Sequence, residues 1–303
     1  MLSDFDYDKL WHRPDDLALT GEGSVIAIID QPLWRNHPGY KDNLLDVQSI
    51  NNADPNDTSM LGSAVVSIAV GEIGVARDAK ILYRAIETWR GREKLLANHA
   101  DALRDLQVYV NEGHHLDAIS TSHGWKTDEK YADENDKLTA WFEKKNVPVF
   151  SVNSVFGNNS TATFFYPCGP DGLAQWMRKI DPNYIIEKGD VGIVSEDRLL
   201  ASKDPRMIDE FGGLYYRSST NRVETGGASL AVPFVAGLFA LAREALPEIT
   251  RDDFIQTLRD TTRSIDFGKE GVLPVADMDF FATVLKHCPT PLLRKRYKVE
   301  PGP

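Results

Sequence analysis

Cysteine is scarce. Cys168 and Cys288 are the two in 303 residues, too few for a disulfide framework, and no Cys-x-x-Cys spacing offers a zinc site. Cationic charge is short as well: Lys and Arg number 34 against 45 Asp and Glu, a formal net charge of −11. No basic surplus exists to neutralise a nucleic-acid backbone, and the basic run at 294–298 reads as a solvated tail. No stretch of about 18 apolar residues occurs, so a membrane-spanning helix is excluded. Residues 1–20 are acidic and polar, without the apolar segment of a secretory leader, and the 29 residues before Asp30 are too few for a folded prodomain. A cytoplasmic protein is the expectation. Internal repeats and low-complexity segments are also missing.

What is present suits a substantial core, since 42% of the residues are hydrophobic. One domain is expected over 1–303, with an irregular arm at 1–22 and a tail at 288–303. Residues 24–30 form a near-continuous apolar run of the kind found in a parallel strand buried on both faces, and they end in Asp30. That is the end at which open α/β sheets place functional groups. Gly21-Glu22-Gly23 precedes this strand, whereas a dinucleotide-binding turn needs its glycines after it, so no nucleotide site is expected. Residues 31–59 read as a long polar loop. Its acidic part, 52–57, lacks EF-hand spacing and reads as a solvated segment.

A small-residue helix follows at 61–71, then a strand at 79–85. Helical spacing of Leu95, Leu96, Ala100, Leu103, Leu106 and Val110 predicts a helix over 92–112. Residues 116–124 read as a strand opening into a glycine turn, 131–145 as a helix, and 147–153 as a strand. Over 154–224 Gly, Asn, Ser and Pro clusters break the pattern around short strands such as 191–195. Thr250, with Asp253 three residues on, reads as the cap of a further helix. Alternating strands and helices predict an α/β fold: a mostly parallel central sheet flanked by helices in three layers.

The stretch that draws the rest together is Gly226-Gly227-Ala228-Ser229 and the apolar run after it. Paired glycines permit a close approach, and Pro233 is expected where an early helical turn tolerates it. Two readings stand side by side here. One is a glycine-capped core helix with an incidental serine; the other is a serine hydroxyl at a helix N-terminus, where free amides favour a developing negative charge.

Four blocks, in order, resemble the subtilisin-like serine peptidases. Val25 to Asp30 resembles the strand that delivers the catalytic aspartate. Leu61-Gly62-Ser63-Ala64-Val65 resembles the start of the family's His-Gly-Thr-His-Val helix. Ser151-Val152-Asn153 resembles the block with the oxyanion asparagine. Residues 227–237 match the Gly-Thr-Ser-Met-Ala-Thr-Pro-His-Val-Ala-Gly signature at seven of eleven positions. Ser122, His123 and Gly124 are similar to the segment that pairs with substrate backbone and, with Val152, walls the pocket for the residue before the cut.

The resemblance implies a peptide or protein substrate and no required cofactor. Calcium is common in the family, yet no ligand set maps onto this sequence, so no metal site is assigned. Ser229 would be the nucleophile, Asp30 the group that orients its base, and Asn153 a donor to the tetrahedral oxyanion. The base itself is missing: Leu61 stands where the family has histidine. Leucine takes up no proton; in subtilisin, losing the triad histidine alone lowers turnover about 10⁶-fold. An inactive serine endopeptidase is therefore expected. A pseudoprotease that binds peptides or proteins in the old cleft is the alternative, favoured by further departures at Gln31, Val152 and Phe234; an unrelated α/β domain is the third reading. His37, His114, His115 and His123 are each expected to be structural or solvated rather than a replacement base.

Overall fold

Alternate side chains of β1 (Val25–Asp30) enter two separate cores, which is why its sequence is apolar without a break. Ile26 and Ile28 pack into one, Ala27 and Ile29 into the other, all essentially without solvent contact. The computed structural model describes residues 19–51, 53–54, 59–71, 74–151, 164–165, 191–192, 228–260, 262–266 and 272–276. Around β1 lie β2 (Leu44–Ser49), β3 (Lys80–Ala85), β4 (Ala118–Thr121) and β5 (Val149–Ser151). They form an all-parallel sheet in the order β2-β3-β1-β4-β5.

One face of this sheet carries α1 (Met60–Ala69) and α4 (Ala228–Ala245), with α5 (Arg251–Asp260) beside them. Phe150 of β5, Phe239 of α4 and Phe254 of α5 meet edge to face, with centroids 5.1 to 6.0 Å apart. Burying each such ring contributes about 1.5–3 kcal/mol. The other face carries α2 (Arg92–Asn111) and α3 (Ala132–Lys144), whose Leu95, Leu103, Leu106, Leu138 and Phe142 cover Ala27, Ile29, Leu82 and Ile119. This is the expected three-layer arrangement. A second sheet runs β6 (Phe164–Phe165), β7 (Val191–Gly192), β9 (Val272–Ala276), β8 (Thr262–Asp266), and β8 and β9 pair antiparallel.

Two expectations need correction. Residues 31–59 are not one loop: a turn of 3-10 helix at Lys41–Asn43 leads into β2, an edge strand paired with β3. β2 exposes Leu45 and turns Asp46 to the buried guanidinium of Arg84, 2.9 Å away, so its sequence looks polar although its backbone is in the sheet. Arg84 Nε meets Asp105 of α2 at 2.5 Å, so a cation enclosed at this edge is met by two carboxylates. The predicted cap is present: the Asp253 amide donates to Thr250 Oγ1 at 3.2 Å, and the Thr250 hydroxyl donates to the Asp253 carboxylate at 2.7 Å.

The second correction concerns Pro233. α4 begins at Ala228, so Pro233 is its sixth residue and lies inside the helix rather than in its first turn. It has no amide hydrogen, so it gives no helical hydrogen bond to the carbonyl four residues earlier, that of Ser229. No helix among the described residues is long and apolar enough to cross a membrane.

Candidate functional site

β1 is the strand at which the sheet order reverses, β2 and β3 lying on one side and β4 and β5 on the other. Its carboxyl end is therefore the crevice where α/β sheets hold ligands. Asp30 occupies that end and has no solvent exposure. Its Oδ1 accepts the Gln31 amide at 2.7 Å, while Oδ2 is buried without a hydrogen-bond partner among the described residues. Burial pushes the carboxyl up to about 6, against the smaller opposing pull of the Ser122 hydroxyl and the Gln31 and Ser122 amides.

The start of α1 is pressed against this end of β1. Ser59 caps the helix, its Oγ accepting the Leu61 amide at 3.2 Å, and its own amide donates to the Pro32 carbonyl at 2.7 Å. The Ser59 hydroxyl also donates to Gln31 Oε1, and Gln31 Nε2 donates to Thr88 Oγ1 at 2.9 Å. Gly62 makes this approach feasible, because a Cβ there would stand 2.3 Å from the Gln31 carbonyl oxygen and 2.7 Å from that of Pro32. Leu61 thus sits in the turn of helix that abuts the residue after Asp30, half-buried against the α1/α4 core. It has no polar atom to offer the orphaned Oδ2.

Ser229 is the second residue of α4 and is half-buried. Its carbonyl receives the Ser122 hydroxyl at 3.0 Å. Ser122 follows directly on β4 and also approaches Asp30, so one hydroxyl joins the end of β1 to the start of α4. Val152 and Asn153 lie outside the described residues.

His123 and Gly124 continue from Ser122. The His123 amide lies 3.4 Å from Thr121 Oγ1; its ring Nε2 is buried with no hydrogen-bond partner among the described residues. Burial, with help from the Arg92 charge, pushes this imidazole down to about 4. The Gly124 carbonyl is taken by Arg92 at the start of α2, whose guanidinium also forks onto Glu129 at 2.7 and 2.8 Å. That fork holds the Glu129 carboxyl down to about 2.

Beneath this wall lies a group that the sequence reading passed over. His99 is fully buried in α2, with Nδ1 2.7 Å from Asn135 Oδ1 and Nε2 3.0 Å from Thr121 Oγ1. Asn135 donates through Nδ2 to the Leu96 and Tyr131 carbonyls, so its oxygen faces His99. The ring is then assigned as the Nδ1–H tautomer, with the Thr121 hydroxyl donating to Nε2. A signal for it exists: position 99 falls between Leu96 and Leu103 on the buried stripe of α2. Burial pushes this imidazole down to about 4.

The other described histidines are engaged elsewhere. His37 stacks on Tyr40 at 4.7 Å and its Nδ1 accepts the Gly39 amide at 3.1 Å. His114 stacks on Tyr109, and His115 meets Asp117 at 2.8 Å, both near the amino end of β4 and so at the far end of the sheet from Asp30. Among the described residues no three His, Cys, Asp or Glu side chains gather as a metal site.

The fold has counterparts among solved structures. A protease from Pseudoalteromonas arctica superposes with a TM-score of 0.53 at 18% identity, over 91% of this chain and 97% of that one. The protease domain of PatA, as its S218A mutant, gives 0.55 at 16% identity, over 89% and 98%. A cold-adapted subtilisin-like serine proteinase gives 0.51 at 13% identity, over 85% and 89%. No protein-family profile matches the chain, and no curated protein matches it by sequence. The fold is subtilisin-like.

Proposed function

We propose that this chain is built as a serine endopeptidase of the subtilisin-like type and that Leu61 leaves it without turnover. The observation that carries the reading is the Asp30 carboxylate, buried at the switch point with one oxygen unpartnered among the described residues while its neighbour Ser122 reaches the backbone of Ser229. A carboxylate buried in this way suits an imidazole that would accept the serine proton and be steadied as it charged. In this reading Ser229 is the nucleophile, Asn153 a donor to the oxyanion, and Ser122, His123, Gly124 and Val152 the wall along which a peptide lies. With leucine at position 61 the serine has no base and the departing amine no acid.

A second reading is favoured by how well the other departures are accommodated. Gln31 spends both ends of its amide on Ser59 and Thr88, and Phe234 is 4% exposed within the α1/α4 core. Residues so completely built in suit a chain that has long done without turnover and uses the cleft to hold a peptide or protein segment.

The test is reaction with a fluorophosphonate serine probe and turnover of a generic peptide ester by the parent and by Leu61→His. Labelling and turnover in the variant alone support the peptidase architecture. If a folded Leu61→His stays inert while the parent binds extended peptides, the second reading takes its place.

A further inference from the structure

Pro233 removes the amide that would cap the Ser229 carbonyl, and the donor that replaces it comes from 107 residues away in sequence, the hydroxyl of Ser122 at 3.0 Å. The same hydroxyl approaches Asp30, whose Oδ2 is buried without a partner among the described residues. A serine has one hydrogen to give. We propose that Ser122 is a positioning residue that couples the ionisation of Asp30 to the anchoring of the first turn of α4, its single hydrogen serving the Ser229 carbonyl while Asp30 is neutral and the Asp30 carboxylate once it is charged. This holds whether or not the site turns over peptides.

With Asp30 protonated, its acid hydrogen donates to the Ser122 oxygen and Ser122 donates onward to Ser229, a relay in which every group is satisfied. Ionisation removes that hydrogen and leaves two acceptors facing one donor. The carboxylate is the stronger acceptor, because hydrogen bonds to a charged oxygen are about twice as strong as neutral ones. The Ser229 carbonyl is then left without Ser122, and Pro233 gives the helix no amide to take its place.

The surroundings of Asp30 do not override the switch. From β3 the Tyr83 phenol faces it, with Tyr40 beyond; burial holds both phenols above their usual range, so neither carries charge where Asp30 titrates. α1 presents Leu61, Gly62 and Ser63 near this end, and α4 presents Ser229, none of them titratable at these pH values. Among the described residues, no charged side chain acts on the Asp30 carboxyl. His123, next in the chain, titrates lower, near 4.

The experiment compares the parent with Ser122→Ala, Ser122→Thr and Asp30→Asn, each first shown to be folded by its thermal transition. Hydrogen exchange of the Phe234 and Val235 amides, whose helical partners lie in the first turn of α4, is followed at pH 5 and pH 7.5 and corrected for intrinsic rates. In the parent, protection is expected to fall about fivefold at the higher pH, the worth of one net hydrogen bond. Ser122→Ala is expected to be weakly protected at both pH values, Asp30→Asn to stay protected at both, and Ser122→Thr to recover the pH dependence. The Asp30 carboxyl, followed by its carbon-13 shift, is expected to titrate higher in Ser122→Ala, a change that mere packing by Ser122 would not produce. Protection in Ser122→Ala that keeps the parent's pH dependence, or an Asp30 titration unmoved by that substitution, overturns the proposal.

Discussion

Gly62 and Gln31 meet so closely that a β-carbon on Gly62 would stand 2.3 Å from the Gln31 carbonyl oxygen. The neighbouring obstacle at 2.7 Å, the Pro32 carbonyl oxygen, is backbone too, so neither can swing aside as a flexible side chain would. Gly62→Ala must push the start of α1 away from the end of β1. The expected loss is about 3 kcal/mol in urea denaturation, at the upper end of overpacking costs. Ser59→Ala, which removes the cap of the same helix, is expected to cost about 1 kcal/mol. A Gly62→Ala loss smaller than that of Ser59→Ala would mean that α1 and β1 do not press together as described.

The ionisation of Asp30 works against folding. Its carboxyl is raised from 3.8 to about 6 in the folded protein, so the folded state holds the proton more tightly than the unfolded chain. The resulting stability is fully present below about pH 4 and is lost as pH rises through about 6, amounting to about 3 kcal/mol. Asp30→Asn removes this loss. Subtracting the parent's stability curve from that of Asp30→Asn is expected to give a difference that climbs by about 3 kcal/mol between pH 4 and pH 7. A flat difference would show that Asp30 is not desolvated in the folded chain.

How much of this was legible in the sequence depended on how each element buries its side chains. β1 and α4 announced themselves because nearly every side chain has an apolar neighbour to meet, and Thr250 with Asp253 marked a helix start by chemistry alone. β2 escaped because an edge strand hides few side chains, and Asp46 there exists to meet an arginine on another strand. Pro233 was visible, but its consequence was not: that depended on where α4 begins and on Ser122, far away in sequence. The order of Asp30, Leu61, Ser122 and Ser229 could be read by resemblance, whereas the Asp30 oxygen left without a partner among the described residues and the shared hydroxyl of Ser122 exist only once the strands are side by side.

Acid is expected to loosen the wall formed by residues 121–124. His99 is lowered from 6.5 to about 4, so the unfolded chain binds its proton more tightly. The stability it carries is present above about pH 6.5 and is lost as pH falls toward 4, about 3 kcal/mol in all. His123 titrates in the same direction and Asp30 in the opposite one. Two histidines against one aspartate leave a net uptake of about one proton on unfolding near pH 5. His99→Gln keeps a donor and an acceptor but cannot charge, and its stability is expected to be about one proton less dependent on pH in that range. Potentiometric or pH-dependent denaturation measurements would decide; an unchanged slope would mean that His99 is protonated in the folded state.

A histidine placed at position 61 would separate Asp30's service to a base from its service to the fold. If position 61 is where an imidazole would meet Asp30, Leu61→His should label with a fluorophosphonate at a rate that rises with pH through the histidine range, about 6.5. The new cation beside it should also draw the Asp30 carboxyl back down, removing the stability loss seen in the parent between pH 4 and 6. Adding Asp30→Asn to Leu61→His takes away the acceptor that orients the ring. A fall of about 10⁴ in the labelling rate is expected, the scale found when the triad aspartate of trypsin is replaced in the same way. Adding Ser229→Ala instead should abolish labelling altogether. Equal rates in Leu61→His and Leu61→His/Asp30→Asn would mean that the new imidazole acts without the aspartate, and that the buried carboxylate at the end of β1 serves the anchoring of α4 rather than a base.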